Sequence, residues 1–151
     1  MHEEHTYPVA TVNVEAIRAA ERIYRLWDEA WGAKNADAAA ELYAPDTVLE
    51  SPLVRYLVKA PEGVVQGREK LRKFLRMVFE RIPPLLQRYR TGYFTDGRTL
   101  MWEYPRATPG GDQMDFVEVM EIEDGLIHRH RVYWGWLGLK SLEQDQHWTR
   151  K

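Results

Sequence analysis

The chain has no cysteine, which excludes disulfides, thiol nucleophiles and thiolate metal sites. It contains no apolar run close to the roughly 20 residues that a membrane-spanning helix needs. Its start, Met1-His2-Glu3-Glu4-His5, is polar and acidic, unlike a secretory leader. Charge of one sign is also missing. Against 23 acidic residues stand 21 basic ones, a formal net charge of −2, so nothing in the electrostatics favours nucleic acid or an anionic membrane. No Gly-rich phosphate loop, nucleophile elbow or zinc-protease helix motif occurs, and there is no internal repeat. These absences lead to the expectation of a cytoplasmic protein.

What is present is core-forming material. Apolar residues make up 44% of the chain, with six Trp and eight Tyr, a globular composition. At 151 residues a single domain is expected over 1–151, with 1–12 a flexible N-terminal segment.

The spacing predicts a first helix from Val14 to Gly32, capped by Asn13, with Ile17, Ala20, Tyr24, Trp27 and Trp31 on one face. A short second helix is expected over Ala36–Tyr43, capped by Asn35 and stopped by Pro45. Thr47–Glu50 reads as a short strand ended by Ser51-Pro52. After Gly67, residues Leu71, Phe74, Leu75, Val78, Phe79 and Ile82 form one stripe of a third helix that Pro83-Pro84 ends. From Gln87 onward every segment reads as antiparallel strand, with turns at Asp96-Gly97, Thr108–Asp112 and Asp124-Gly125. Helices first and hairpins afterwards give an α+β fold. The expected shape is a half-barrel, with three N-terminal helices packed on a curved antiparallel or mixed sheet around a cavity.

The last hairpin carries the chemistry. Its alternate positions Met114, Phe116, Glu118, Met120 and Ile122, and then Leu126, His128, His130, Val132, Trp134 and Trp136, are apolar apart from one acid and two imidazoles. The interleaved Glu121, Glu123, Arg129 and Arg131 suit a solvated face. A carboxylate on a buried stripe needs a partner, and its burial shifts its proton affinity. A three-residue loop with Gly125 left-handed would set Glu118 opposite His130 and Met120 opposite His128, with both apolar stripes on one face. A two-residue Asp124-Gly125 loop would instead set Glu118 opposite Arg131 and mix greasy and charged faces, so burial favours the first register. Glu118 and His130 are therefore the candidate acid/base pair, or a structural pair that fixes the hairpin register.

Other positions are weighed around them. Trp27, Trp134 and Tyr24 would wall a cavity or simply pack a core. Ser51 offers a hydroxyl or serves as a turn residue. Glu103 faces outward beside Arg90 under a two-residue Asp96-Gly97 turn, or inward with Tyr89 and Thr91 under a three-residue one. His128 and His130 with Glu118 have the composition of a two-His-one-carboxylate metal site, and the metal-free reading is preferred.

Several segments together resemble a known family: Asn35-Ala-Asp37, Glu41-Leu-Tyr43-Ala-Pro-Asp46-Thr-Val-Leu-Glu50-Ser-Pro52, Gly67-Arg-Glu-Lys-Leu71 and Glu123-Asp124-Gly125-Leu126-Ile127. They look like the SnoaL-like branch of the nuclear transport factor 2-like superfamily, over roughly Val14 to Trp136. The resemblance implies a cone-shaped α+β fold, commonly dimeric through the outer sheet face. That superfamily includes ketosteroid isomerases, polyketide cyclases, epoxide hydrolases, dehydratases and non-enzymatic binders, so fold alone does not choose among them. Carried onto this chain, the ketosteroid isomerase base falls at Ser51, its oxyanion-hole tyrosine at Trp27 and its protonated aspartate at Glu118. One of the three keeps a carboxyl group. The epoxide hydrolase aspartate falls at Val132.

The functional expectation is thus a small enzyme working without cofactor or metal, by acid/base proton transfer of isomerase, cyclase or dehydratase type. Its substrate would be a hydrophobic, cyclic small molecule, and its assembly a homodimer. The rival is a non-catalytic binder of a hydrophobic ligand or a dimeric scaffold.

Overall fold

The computed structural model describes residues 13–82, 92–107 and 113–144. The flexible segment expected over 1–12, and most of the strand expected over Gln87–Phe94, lie outside those residues.

Helix α1 spans Val14–Gly32, and the Asn13 side chain accepts from the Glu15 and Ala16 amides. Its buried face is Ala20, Ile23, Trp27 and Ala30, the three-four spacing that turns one stripe inward. Helix α2 covers Ala36–Ala40 under an Asn35 cap. It is shorter than expected, and Tyr43 opens strand β1, Tyr43–Glu50. Apart from Glu41, the run Ala39 to Ala44 is apolar and fits either element. Tyr43 is decided by its pairing with Ile127. Pro45 has no N–H to give, and the parallel ladder is interrupted between Tyr43 and Val48.

Ser51-Pro52 ends β1 as expected but also starts a helix. Helix α3 is Pro52–Val58, with Pro at its first turn and the Ser51 hydroxyl accepting from the Leu53 amide. Strand β2, Val64–Gln66, returns along β1, and Gly67 at φ 93° turns the chain into helix α4, Arg68–Arg81. Arg72 binds Asp37, Glu41 and Glu69, and Arg76 binds Asp37, which ties α4 to α2 across the surface.

Strands β3 (Phe94–Thr95), β4 (Thr99–Ala107), β5 (Gln113–Glu123) and β6 (Leu126–Trp134) follow, then helix α5, Trp136–Glu143. The six strands form one open, curved sheet in the order β2-β1-β6-β5-β4-β3. β1 and β6 run parallel and the other pairs antiparallel. The α+β half-barrel is thus as expected, with two helices, α3 and α5, beyond the three foreseen. Trp136, expected on the strand stripe, is exposed at the start of α5.

Two registers differ from expectation. At the β3–β4 turn Thr95 pairs with Leu100 and Phe94 with Met101, a longer loop than either considered. Asp96 accepts there from the Arg98 and Thr99 amides, and Gly97 at φ 91° lies so close to α1 that a Cβ would fall 2.8 Å from that of Ala16. In the last hairpin Asp124 and Gly125 both have positive φ, 50° and 73°. This is the two-residue type I′ solution, with Glu123 opposite Leu126. The register then shifts between Glu121 and Ile122, which pair with Arg129 and Ile127, leaving His128 as an extra, bulged residue. The bulge restores the facing of both apolar stripes. Glu118 lies opposite Val132 and Met120 opposite His130, two residues from the expected pairing and on the expected face.

Three carboxyl groups are held below their usual values: Asp37 by its hydrogen bonds from Arg76 and Arg72, Glu69 by that from Arg72, and Asp96 by the Thr99 and Arg98 amides. A depressed folded-state value stabilises the fold above the unfolded value and loses that contribution as pH falls through the folded one. The urea midpoint should therefore hold steady at neutral pH and decline as pH falls through and below the ordinary aspartate value of 3.8. In Asp96→Asn that acid limb should be shallower; an unchanged limb would remove Asp96 from the cause.

Candidate functional site

β5 and β6 bring Glu118 and His130 together on the concave sheet face, as the sequence predicts, though along a diagonal. Diagonal neighbours on one face remain within reach of long side chains. Glu118 Oε2 and His130 Nε2 are 2.5 Å apart, and the two residues are only 3% and 2% exposed. Each has a second partner. The Tyr104 hydroxyl donates to Glu118 Oε1 at 2.7 Å, and His130 Nδ1 lies 2.9 Å from the Tyr43 hydroxyl. Trp27 Nε1 donates to that same hydroxyl at 3.3 Å.

The donor and acceptor inventory orients the chain of bonds. An indole N–H can only donate, so the Tyr43 oxygen accepts from Trp27 and its proton points to His130 Nδ1. His130 then carries its proton on Nε2 and donates to Glu118, which accepts from both His130 and Tyr104. That direction suits an ionised carboxylate beside a neutral imidazole. Burial pushes the Tyr43 hydroxyl above its ordinary value, and the Glu118 charge adds to the shift. Tyr43 therefore stays protonated and donating at physiological pH.

These groups line a cavity of ≈ 40 Å³ between the sheet and α1, α3 and α4. Trp27, Ser51, Glu118, His130 and Trp134, all expected there, are on its wall. Ser51 uses its hydroxyl on the α3 cap. Two expected residues, Tyr24 and His128, are elsewhere, as is Glu103, for which both directions are open in the sequence. Tyr24 meets Tyr93 at a tilt of 47° and Trp102 edge-on, with ring centroids 4.5 and 5.2 Å away, because its position on α1 faces the β4 side of the core. Glu103 alternates to the convex face opposite Val117 and is exposed. His128, displaced by the bulge, turns away from the cavity, with Nδ1 3.9 Å from Asp46. Ile127 takes the inward place and is fully buried. The two imidazoles therefore do not converge on Glu118. Among the described residues no group of three or more His, Asp or Glu side chains could hold a metal ion.

Three polar wall residues escape the sequence reading: Tyr43, Tyr104 and Arg106. Tyr104 and Arg106 continue the alternation begun by Leu100 and Trp102, so the reasoning that singled out Glu118, a polar group on an apolar stripe, would have found Arg106. Tyr43 gave no such signal, being taken as the end of a helix.

A cone of helices under an open mixed sheet, with the concave face lining a cavity, defines the nuclear transport factor 2-like class of proteins. A sequence model of the SnoaL-like domain matches residues 23–130, and the chain belongs to that family. Similar solved structures share the fold at low identity. A SnoaL-like protein of unknown function from Burkholderia thailandensis is 20% identical, with a TM-score of 0.67 over 82% of this chain and 98% of that one. A steroid delta-isomerase from Pseudomonas aeruginosa is 17% identical, with a TM-score of 0.65 over 85% of this chain and 88% of that one. An NTF2-like protein of unknown function from Mesorhizobium loti is 20% identical, with a TM-score of 0.63 over 78% and 92% of the respective chains. No curated protein matches the sequence significantly. Among the described residues no helix is long and apolar enough to cross a membrane.

Removing one partner of a buried hydrogen bond costs more than the bond's net worth, roughly 1–3 kcal/mol. Tyr43→Phe should lower unfolding stability by about that amount, because His130 Nδ1 and Trp27 Nε1 both lose their partner. His128→Ala should stay within about 0.5 kcal/mol. Equal losses in urea titrations of the two variants would contradict the assigned network.

Proposed function

We propose that this protein transfers protons on a hydrophobic small molecule held in the concave cavity, with Glu118 as the group that takes up and returns the proton. The observation that carries the reading is a buried carboxylate, hydrogen-bonded by His130 and Tyr104, on the wall of an otherwise mostly aromatic and aliphatic cavity. A carboxylate on the wall of a cavity can take a proton from a bound carbon acid and return it at another position. His130, steered by Tyr43, positions it and steadies its charge. Isomerisation, cyclisation and dehydration all begin with such a transfer, and none of them requires a cofactor. The cavity accepts about three water molecules' worth of atoms, so a cyclic substrate requires lining side chains to move.

The second reading is a non-catalytic binder. It draws on one specific fact: both Glu118 oxygens and both His130 ring nitrogens already have protein partners, as a purely structural network would.

Deuterium uptake from D₂O into cyclohex-3-enone, followed by proton NMR, separates the two. Under the catalytic reading Glu118→Gln lowers uptake by about 10²–10⁴-fold, with a melting temperature unchanged or higher. Large destabilisation with uptake retained, or no uptake in the wild type, would leave the binding role.

We also propose that two copies pair through the convex sheet face. Phe94 and Tyr133 there are 78% and 54% exposed, and Met101 is exposed beside them, an apolar surface suited to a partner. Sedimentation velocity should give a dimer for the wild type and a monomer for Tyr133→Glu. A monomeric wild type would discard this assembly.

A further inference from the structure

Strand register sets the neighbours of Glu118 on the concave face. On β6 it lies opposite Val132, with His130 and Trp134 as its two diagonal neighbours, each roughly 7 Å away and within reach of a long or aromatic side chain. His130 takes one diagonal with its hydrogen bond to Glu118. Trp134 takes the other with an indole that meets the Phe116 ring edge-on, centroids 4.5 Å apart. Among the described lining residues Trp31, Ile82, Val132 and Trp134 are half-buried and the rest are buried. The cavity therefore comes nearest the surface between the ends of α1, α4 and β6. Of the two large rings at that rim, Trp31 belongs to the helix layer, stacked on Trp27 and edge-on to Phe79. Trp134 is on the strand beside Glu118. Behind its indole lies α5, where a Cβ on Gly138 would fall 3.0 Å from the ring, so the ring has no space to retreat in that direction.

From this placement we propose that Trp134 is the specificity-determining residue of the cavity, and that it confines the substrate to a single small ring by filling the space a second, fused ring would need. The inference rests on the proposal that this cavity is the substrate site. The free volume of ≈ 40 Å³ already obliges the lining to shift for one ring. A fused second ring calls for as much space again, and on the β6 side of Glu118 the indole occupies it. Close-packed interiors absorb a small misfit and resist a large one. In an apolar pocket a single surplus methylene is worth roughly 10–200-fold in discrimination, so a whole surplus ring is excluded while the indole stays. Trp134 thus acts on which molecule reaches Glu118, whereas Tyr104 and His130 act on the carboxylate itself.

Cyclohexanone and 2-tetralone share a ring ketone and differ by a fused benzene ring, and NMR titration of the full-length chain with each tests the proposal. The wild type should bind cyclohexanone about tenfold more tightly. Trp134→Ala should reverse that order, because the bicycle then buries more apolar surface. Trp134→Phe, which keeps an aromatic ring against Phe116, should fall between the two and serves where the alanine variant does not fold. Trp136→Ala removes the adjacent indole, 74% exposed, and should leave the wild-type ratio in place. Equal or inverted affinities in the wild type, no cyclohexanone binding, a ratio unmoved by the Trp134 variants, or one moved as far by Trp136→Ala would overturn the proposal. A ratio reversed in Trp134→Ala, combined with no deuterium uptake in the wild type, would support the size limit while refuting the proton-transfer reading. Uptake with an unmoved ratio would do the opposite.

Discussion

A type I′ turn at Asp124-Gly125 and an apolar stripe on both strands of the last hairpin cannot coexist in a regular ladder. The turn pairs Glu123 with Leu126, and continuing that register would face the β5 apolar side chains with the β6 arginines. One extra residue resolves the conflict. His128 is that residue, and beyond it each inward position of β5 again opposes an inward position of β6. Because the side-chain period of a strand is two, a single inserted residue exchanges faces, and a second displacement of one, from the shorter turn, restores them. The whole concave wall depends on this cancellation.

Glu118 and His130 owe their contact to the restored register, and the rest of the network is assembled from elsewhere. Tyr43 arrives from β1, which runs parallel to β6, Tyr104 from β4 and Trp27 from α1. Three elements distant in sequence thus converge on one buried Glu–His pair. A buried carboxylate without such donors would bear a heavy desolvation penalty. With them it is fixed in one orientation, and the same bonds that make it tolerable give it a defined direction into the cavity. Stability and candidate chemistry therefore draw on the same hydrogen bonds, while the concave face that holds them leaves the convex face available for contacts of another kind.

The elements readable from sequence are those long enough to show their period. α1, α4 and the β5–β6 hairpin were anticipated closely, since each presents several repeats of 3.6 or 2. α3 was hidden because Pro52 was read as a terminator, although a proline at the first helical position is compatible with helix. α5 was hidden because Trp136-Leu-Gly-Leu contains a glycine, which costs a helix about 1 kcal/mol relative to alanine. Gly138 has a packing reason to be there: a Cβ at that position would lie 3.0 Å from the Trp134 ring and press on that wall residue. Similarly, Tyr24 follows the helical face of Trp27 yet belongs to the aromatic cluster with Tyr93 and Trp102, and periodicity does not resolve neighbours around one face.

By itself the sequence determined parity: which side chains of each strand and helix point inward, and hence that an acid and an imidazole share a buried surface with aromatic rings. Tertiary structure decided adjacency. The choice of turn, the bulge at His128 and the placement of Tyr43, Tyr104 and Arg106 around the pair follow from loop geometry and long-range strand pairing. Alternation within a strand records the face a residue takes, and it carries no information about which residue of a distant strand will lie beside it.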